Sequence, residues 1–168
     1  MAFNLHGILV PHRKNTEKKP VLSIDAPNTV IIPMGMHIGK PAAPVVKAGD
    51  LVKVGTKIGE AQGYISSCVY SSVSGKVTKI TDHLLSNGTY STAFVIESDG
   101  EMTKDETLAP PAVSTKEEMV EAIKASGIVG LGGAGFPTYV KFDVDPERIE
   151  YLVINGAECE PYVTSDTI

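Results

Sequence analysis

The sequence predicts an α+β protein with two modest units: a small flattened β barrel over residues 23–100, then the start of an α/β unit over residues 113–168. Three observations predict it. Short β-prone pieces alternate with Gly-Asp and Gly turns in the first hundred residues. A Pro-rich break and a capped helix follow. A Gly-rich loop and an acidic loop then flank one apolar run, residues 150–154.

Residues 1–22 read as an arm, whose polar stretch at 11–20 is solvated. Residues 45–60 set Val45, Val46, Leu51, Val52, Val54 and Ile58 between turns at Gly49-Asp50, Gly55 and Gly59, and residues 69–80 repeat the design around Gly75. This spacing resembles the barrel-sandwich hybrid of biotinyl and lipoyl carrier domains. Those carriers hold a lysine at the hairpin tip between the halves. Here the tip is residues 62–67, Gln-Gly-Tyr-Ile-Ser-Ser, with no amine to acylate. A swinging-arm carrier is therefore not expected, and Lys57 and Lys76 are placed on solvated strand faces. Ser98-Asp99-Gly100 ends the β-rich part, and residues 101–112, closing with Ala109-Pro110-Pro111, read as a linker.

The second unit opens with a helix over residues 116–126. Ser114 and Glu117 supply its capping box, Met119, Val120 and Ile123 its buried stripe, and Gly127 its C-cap. Gly130, Gly132 and Gly135 then spell G-x-G-x-x-G, a pattern that lets backbone N–H groups approach a pyrophosphate. A dinucleotide fold of the Rossmann type needs a strand before the glycines, whereas this chain has a helix there and its best strand, residues 150–154, comes after. Pro137 suits the first position of a short helix. Lys141, one turn on, reads either as a point charge for phosphate or carboxylate or as a solvated lysine. Beyond the strand, Asn155, Gly156, Glu158, Glu160 and Pro161 form a polar loop at a carboxyl end, where ligands collect in open α/β sheets.

Gly-Leu-Gly-Gly-Ala-Gly-Phe-Pro-Thr from Gly130 to Thr138 with Lys141, followed by Asn-Gly-Ala-Glu-Cys-Glu-Pro-Tyr from Asn155 to Tyr162, resembles the RnfC family, the C component of the Rnf ferredoxin:NAD oxidoreductase. It is more distantly similar to the flavoprotein subunit of respiratory complex I. The likeness extends upstream through Ile32-Pro33 and His37-Ile38-Gly39 to Ala61. It implies that Gly130, Gly132 and Gly133 line FMN, with Ala134, Gly135 and Phe136 toward the nicotinamide nucleotide. Lys141 and Asn155 would reach the FMN phosphate and ribityl region, and Glu158 and Glu160 would face flavin and nucleotide. Leu131 stands where complex I has arginine and Ala157 where it has aspartate, departures that fit the Rnf branch.

The resemblance implies an N-terminal piece of an NADH-handling protein in a membrane-associated complex, peripheral on the cytoplasmic face. Such a complex moves electrons between ferredoxin and NAD, coupled to ion translocation. It also implies NAD(H), ferredoxin and other subunits as partners, and two 4Fe-4S clusters held beyond residue 168. Hydride chemistry belongs to the cofactors, so no residue is assigned as a general acid or base. Two alternatives stay open: an RnfC-like electron-transfer protein associated with proline reductase, kept open by Leu9-Val10-Pro11, which departs from the usual RnfC start, and a non-enzymatic docking module.

Composition narrows the field. Lys+Arg 15 against Asp+Glu 20 gives a net charge of -5, and no basic stripe is interleaved with aromatics, so no nucleic-acid surface is expected. No apolar run approaches the roughly 20 residues that span a bilayer. The first residues lack the pattern of a signal peptide, which makes a cytoplasmic site the expectation. Cys68 and Cys159 have no C-x-x-C partner, so these residues alone hold no cluster or structural zinc. Cys68 reads as a small core residue; Cys159 reads as inert or as a neighbour of the flavin. His6, His12, His37 and His83 are too scattered for a metal site or triad, and His37, although it fits the RnfC pattern, reads as a packed or capping residue.

Overall fold

β-branched and aromatic residues alternating with polar ones form seven strands between residues 29 and 98. They are β1 (Thr29–Pro33), β2 (Ala43–Pro44), β3 (Leu51–Val52), β4 (Lys57–Glu60), β5 (Val69–Tyr70), β6 (Gly75–Leu84) and β7 (Tyr90–Ser98). The computed structural model describes residues 7, 10–131, 133–154 and 162. The chain divides into two units, residues 25–146 and residues 1–24 with 147–168.

In the larger unit, one antiparallel sheet runs β1-β7-β6-β3 and a second runs β2-β4-β5. Ile32, Met34, Val52, Ile58, Val69, Val73, Val77, Phe94 and Ile96 fill a single core between them. Each such side chain contributes about 1.5–3 kcal/mol on leaving water. In β6, Val77 points inward between exposed Lys76 and Thr78. A bulge between Val77 and Lys79 then shifts the register, and β6 and β7 run on as a two-stranded arm to the pair Leu84 and Tyr90. Its tip closes through the Leu85 amide on the Thr89 carbonyl at 2.8 Å and the Thr89 amide on Asn87 Oδ1 at 3.0 Å. Cys68 is buried, the small core residue read from sequence.

The expected linker is pinned to the barrel. The Val54 amide donates to the Thr103 carbonyl and the Asp105 amide returns to the Val54 carbonyl, both at 2.9 Å. Thr56 Oγ1 donates to Asp105 Oδ2 at 2.7 Å, and Lys53 Nζ meets Glu106 Oε1 at 2.6 Å. Buried Ser74 bonds Asp99 Oδ1 at 2.6 Å and accepts the Thr103 amide at 2.9 Å. Pairing to a distant strand end, which composition does not encode, turns this stretch into a strap.

Helix α1 (Lys116–Ser126) has the expected bounds, but Thr115 and Glu118, one residue later than predicted, make its capping box. Ser114 instead donates its amide to Glu118 Oε2 at 2.7 Å. Gly127 is the left-handed C-cap at φ 71°, and a side chain there would meet the Cys68 carbonyl at 2.6 Å. The predicted stripe is only partly covered: Val120 and Ile123 are half-buried and Met119 is exposed, because α1 lies on the outside of the barrel. Helix α2 (Thr138–Phe142) begins after Pro137, which is its cap rather than its first residue.

A 3₁₀ turn at Pro146–Arg148 precedes residues 150–154, where no strand forms. Tyr151, Leu152, Val153 and Ile154 are 81–83% exposed. A strand requires a ladder partner, and none of the described residues pairs with this run. In the same smaller unit, residues 10–24 are mostly exposed and turn through the Glu17 amide on the Lys14 carbonyl at 3.2 Å, with His12 Nε2 and Glu17 Oε2 also 3.2 Å apart.

Candidate functional site

The glycine loop leaves α1 at Gly127 and is tied at its base. Val129 bridges Pro137, the Gly130 amide donates to the Phe136 carbonyl at 2.9 Å, and the Thr138 amide donates to the Ile128 carbonyl at 3.0 Å. Between these ties the chain projects outward, with Leu131 95% exposed and Gly133 and Ala134 exposed beside it. Among the described residues, no backbone acceptor pairs with the amides of Gly133, Ala134 or Phe136. Lys141 Nζ turns back over the Phe136 ring, 5.9 Å from its centroid, and comes within 3.9 Å of where a side chain on Gly130 would begin.

The glycines of this loop are not alike. Gly135 has φ 65°, and a Cβ on it would lie 2.8 Å from the Met36 carbonyl oxygen and 2.9 Å from His37 Cα, so it is glycine because the loop presses on the barrel. Gly133 has no such reason: its φ lies outside the left-handed region and a Cβ would meet nothing within 4 Å. Gly130 likewise would make only ordinary contacts, the nearest at 3.8 Å. Space left open without a steric or conformational need within the chain is what close approach of a ligand to backbone requires.

Two barrel segments hold this loop and α2. On one side, the Ile38 amide donates to the Gly135 carbonyl at 3.3 Å. His37 stiffens that turn with both ring nitrogens: Nδ1 bonds the Ile38 carbonyl at 3.0 Å, and Nε2 receives the Ser67 amide at 3.3 Å. Half-buried and bonded at both ring nitrogens, His37 has a structural role of the packed or capping kind read from sequence. On the other side, Tyr139 is buried and donates its hydroxyl to the Tyr64 carbonyl. The two rings meet edge to face at 6.1 Å and 84°, and Lys124 Nζ lies 5.7 Å from the Tyr139 centroid. Tyr64 donates its hydroxyl to Asp143 Oδ2 at 3.4 Å. Loss of water first, and the Asp143 carboxylate second, push both tyrosine hydroxyls above their ordinary pKa. Both tyrosines therefore stay neutral donors at physiological pH.

A cleft of about 510 Å³ opens between Gly133 and Ala134 on the loop, the Gly35–Ile38 turn, and Leu85–Asn87 at the tip of the β6–β7 arm. A second, also about 510 Å³, lies between α1 and the β4–β5 hairpin. Its wall carries the Lys57–Glu60 pair at 3.0 Å, with Cys68 Sγ donating to Glu60 Oε1 at 3.5 Å. Mutual hydrogen bonding raises the Lys57 pKa and lowers that of Glu60, so both stay charged. Of the residues singled out in the sequence, Gly130, Gly133, Ala134, Gly135, Phe136 and Lys141 come together in one loop and the helix behind it. Gly132, Asn155, Glu158 and Glu160, with Cys159, lie outside the described residues. Sequence reasoning missed Tyr64, Tyr139 and Asp143; an aromatic buried in a five-residue helix gives no periodic signal, although Tyr139 directly follows the glycine motif.

Comparison with known proteins adds the family. The RnfC barrel sandwich hybrid domain model matches residues 3–101, more than half of the chain. The chain belongs to the RnfC family. Its two antiparallel sheets are thus the barrel-sandwich hybrid expected from sequence, and the Nuo51 FMN-binding domain model matches residues 123–168, which include the glycine loop. The C component of the Na(+)-translocating ferredoxin:NAD(+) oxidoreductase complex of Acetobacterium woodii is 46% identical over 167 residues, covering 95% of this chain and 37% of that protein. Its counterpart in the proton-translocating ferredoxin:NAD(+) oxidoreductase complex of Clostridium ljungdahlii is 42% identical over 161 residues, covering 92% and 35%. The C component of an ion-translocating oxidoreductase complex of Pseudomonas aeruginosa is 37% identical over 168 residues, covering 96% and 22%. The chain spans about a third or less of these RnfC relatives. Among the described residues, no helix is long and apolar enough to cross a membrane, and no cluster of His, Cys, Asp and Glu could hold a metal ion.

Proposed function

We propose that this chain supplies the glycine-loop side of an FMN and NAD(H) site in an Rnf-type electron-transport complex. That complex would carry electrons between ferredoxin and NAD and couple them to ion movement. The observation that carries the reading is Gly133: among the described residues it is exposed, lacks a steric or conformational need to be glycine, and stands beside amides without backbone acceptors. The FMN-binding domain match over residues 123–168 supports the same assignment. FMN, when bound, supplies the exchange between hydride from a nicotinamide and single electrons.

The chain's own residues bind and orient. Gly130 and Gly133 let phosphate or ring edges approach backbone, and the N–H groups of Gly133 and Ala134, which have no backbone acceptor among the described residues, donate to them. Lys141 adds a positive charge near the loop without closing it. Gly132, Asn155, Glu158 and Glu160 complete the proposed set, with the two acidic residues toward flavin and nucleotide. The iron–sulfur clusters, the other subunits and a peripheral place on the cytoplasmic face of the membrane belong to the same reading of the longer protein. A pocket that buries most of a nucleotide needs walls on several sides, so further segments of such a protein would complete it.

The test is fluorescence titration of FMN and NADH against this chain and the full-length protein, with Gly133→Val in the latter. A folded Gly133→Val protein emptied of flavin supports the site. A full-length protein that folds but takes neither ligand leaves the barrel as a docking module and overturns the proposal.

A further inference from the structure

We infer that the His37 turn of the barrel is the seat that fixes the shape of the glycine loop, which makes His37 a positioning residue for the nucleotide site; the inference rests on the FMN reading above. The loop meets the turn through a hydrogen bond from the Ile38 amide to the Gly135 carbonyl and through backbone contact so close that Gly135 has no room for a side chain. Between its base and that contact the loop is open: among the described residues nothing lies within 4 Å of a side chain built on Gly133, and the cleft opens next to it. Apart from the ties at its base, the meeting with the turn is the loop's contact with the barrel, so a movement of the turn is passed on to the amides the loop presents.

His37 governs where the point lies. Its Nδ1–H donates to the Ile38 carbonyl, on the residue whose amide holds Gly135, and its Nε2 accepts the Ser67 amide of the β4–β5 hairpin. This pattern assigns the neutral tautomer with hydrogen on Nδ1. The ring therefore spans from the loop's anchor to the barrel's second sheet. Without it, the turn keeps the bonds of Lys40 to Ile65 and Ser66 further along, and loses the tie to Ser67 and the brace on the Ile38 carbonyl next to the loop's contact. Pre-organisation of a site depends on such supporting bonds, because a misplaced donor contributes little.

The experiment uses the full-length protein, depleted of flavin, with FMN affinity and thermal stability measured on each variant. His37→Ala is expected to weaken FMN binding about tenfold, corresponding to two lost hydrogen bonds. Gly135→Ala is expected to weaken it at least as much. Because both act through one contact, the double variant should bind no more weakly than the worse single one. His37→Gln, whose amide oxygen can reach the Ser67 amide, should recover part of the affinity. Should His37→Ala not fold, His37→Gln against His37→Asn reads the same tie, since asparagine reaches only the Ile38 carbonyl. Val77→Ala is the control, expected to lower thermal stability while leaving affinity within about twofold, as for a distant independent site. Unchanged affinity in the folded His37 and Gly135 variants overturns the seat and leaves the FMN reading standing, as does full additivity in the double variant. A folded wild-type protein that takes no FMN overturns both.

Discussion

Replacing Tyr139 tests whether α2 is clamped to the barrel or merely rests beside it. Tyr139→Phe removes one hydroxyl that donates to the Tyr64 carbonyl and keeps the ring edge to face with Tyr64 at 6.1 Å. The net loss for such a bond is about 0.5–1.5 kcal/mol. Tyr139→Ala removes the bond, a ring that is only 5% exposed and the Lys124 contact, for about 3–5 kcal/mol. At about 2–4 °C per kcal/mol for a chain of this size, the two variants should be separable in a melting experiment. The chain has no tryptophan and six tyrosines, so the difference in near-UV circular dichroism between variant and wild type carries the change in packing around Tyr139. Hydrogen exchange adds the location: amides of α1 and α2 should open while those of β6 and β7 stay protected. A Tyr139→Ala protein within about 1 kcal/mol of wild type, with unchanged exchange in α2, would refute the clamp.

Three further outcomes follow from the fold. Phe94→Ala, at a side chain with no exposure in the centre of the core, should cost about 3–5 kcal/mol and shift the denaturant midpoint. Thr115→Ala should cost about 1 kcal/mol and fray α1 from its N-terminus, visible as faster exchange in its first turn, whereas Ser114→Ala should cost less because Ser114 uses its backbone rather than its hydroxyl. Asp105 is held down to about 2 from an ordinary 3.8, first by the Thr56 hydroxyl and then by the Thr107 amide and hydroxyl. A depressed carboxyl pKa stabilises the fold above 3.8, and that contribution disappears as pH falls through about 2. Asp105→Asn should therefore differ most from wild type above pH 4, and the difference should shrink toward pH 2 in acid-dependent melts.

Much of this architecture could be read without coordinates, and the misses share a cause. Helix α1 was legible to the residue, because Gly127 and the threonine and glutamate at its start are local signals. The capping register slipped by one because Ser114-x-x-Glu117 and Thr115-x-x-Glu118 both fit the motif, and only the backbone angles at Thr115 choose between them. The absence of a lysine at the hairpin tip was plain, and so was the glycine motif. What the loop leans on was not: the contacts of Gly135 with Met36 and His37 join residues about a hundred apart, and no local pattern encodes them. Residues 101–112 looked like a linker by composition, yet Thr103 and Asp105 pair with Val54 and Thr56. Residues 150–154 have strand chemistry without a strand partner among the described residues, and pairing is a property of two segments.

The hairpin tip at residues 62–67 is where a biotinyl or lipoyl carrier would mount its travelling arm. In this protein Ser66 is buried against the Lys40 carbonyl, Ser67 is bonded to His37, and Tyr64 is tied to Tyr139. A carrier serves several stations because its tip can move among them. A tip fastened at three points serves one station, and whatever lodges beside the neighbouring glycine loop keeps a constant spacing from the barrel. A ligand held there would stay at one distance from the barrel instead of travelling with a moving tip.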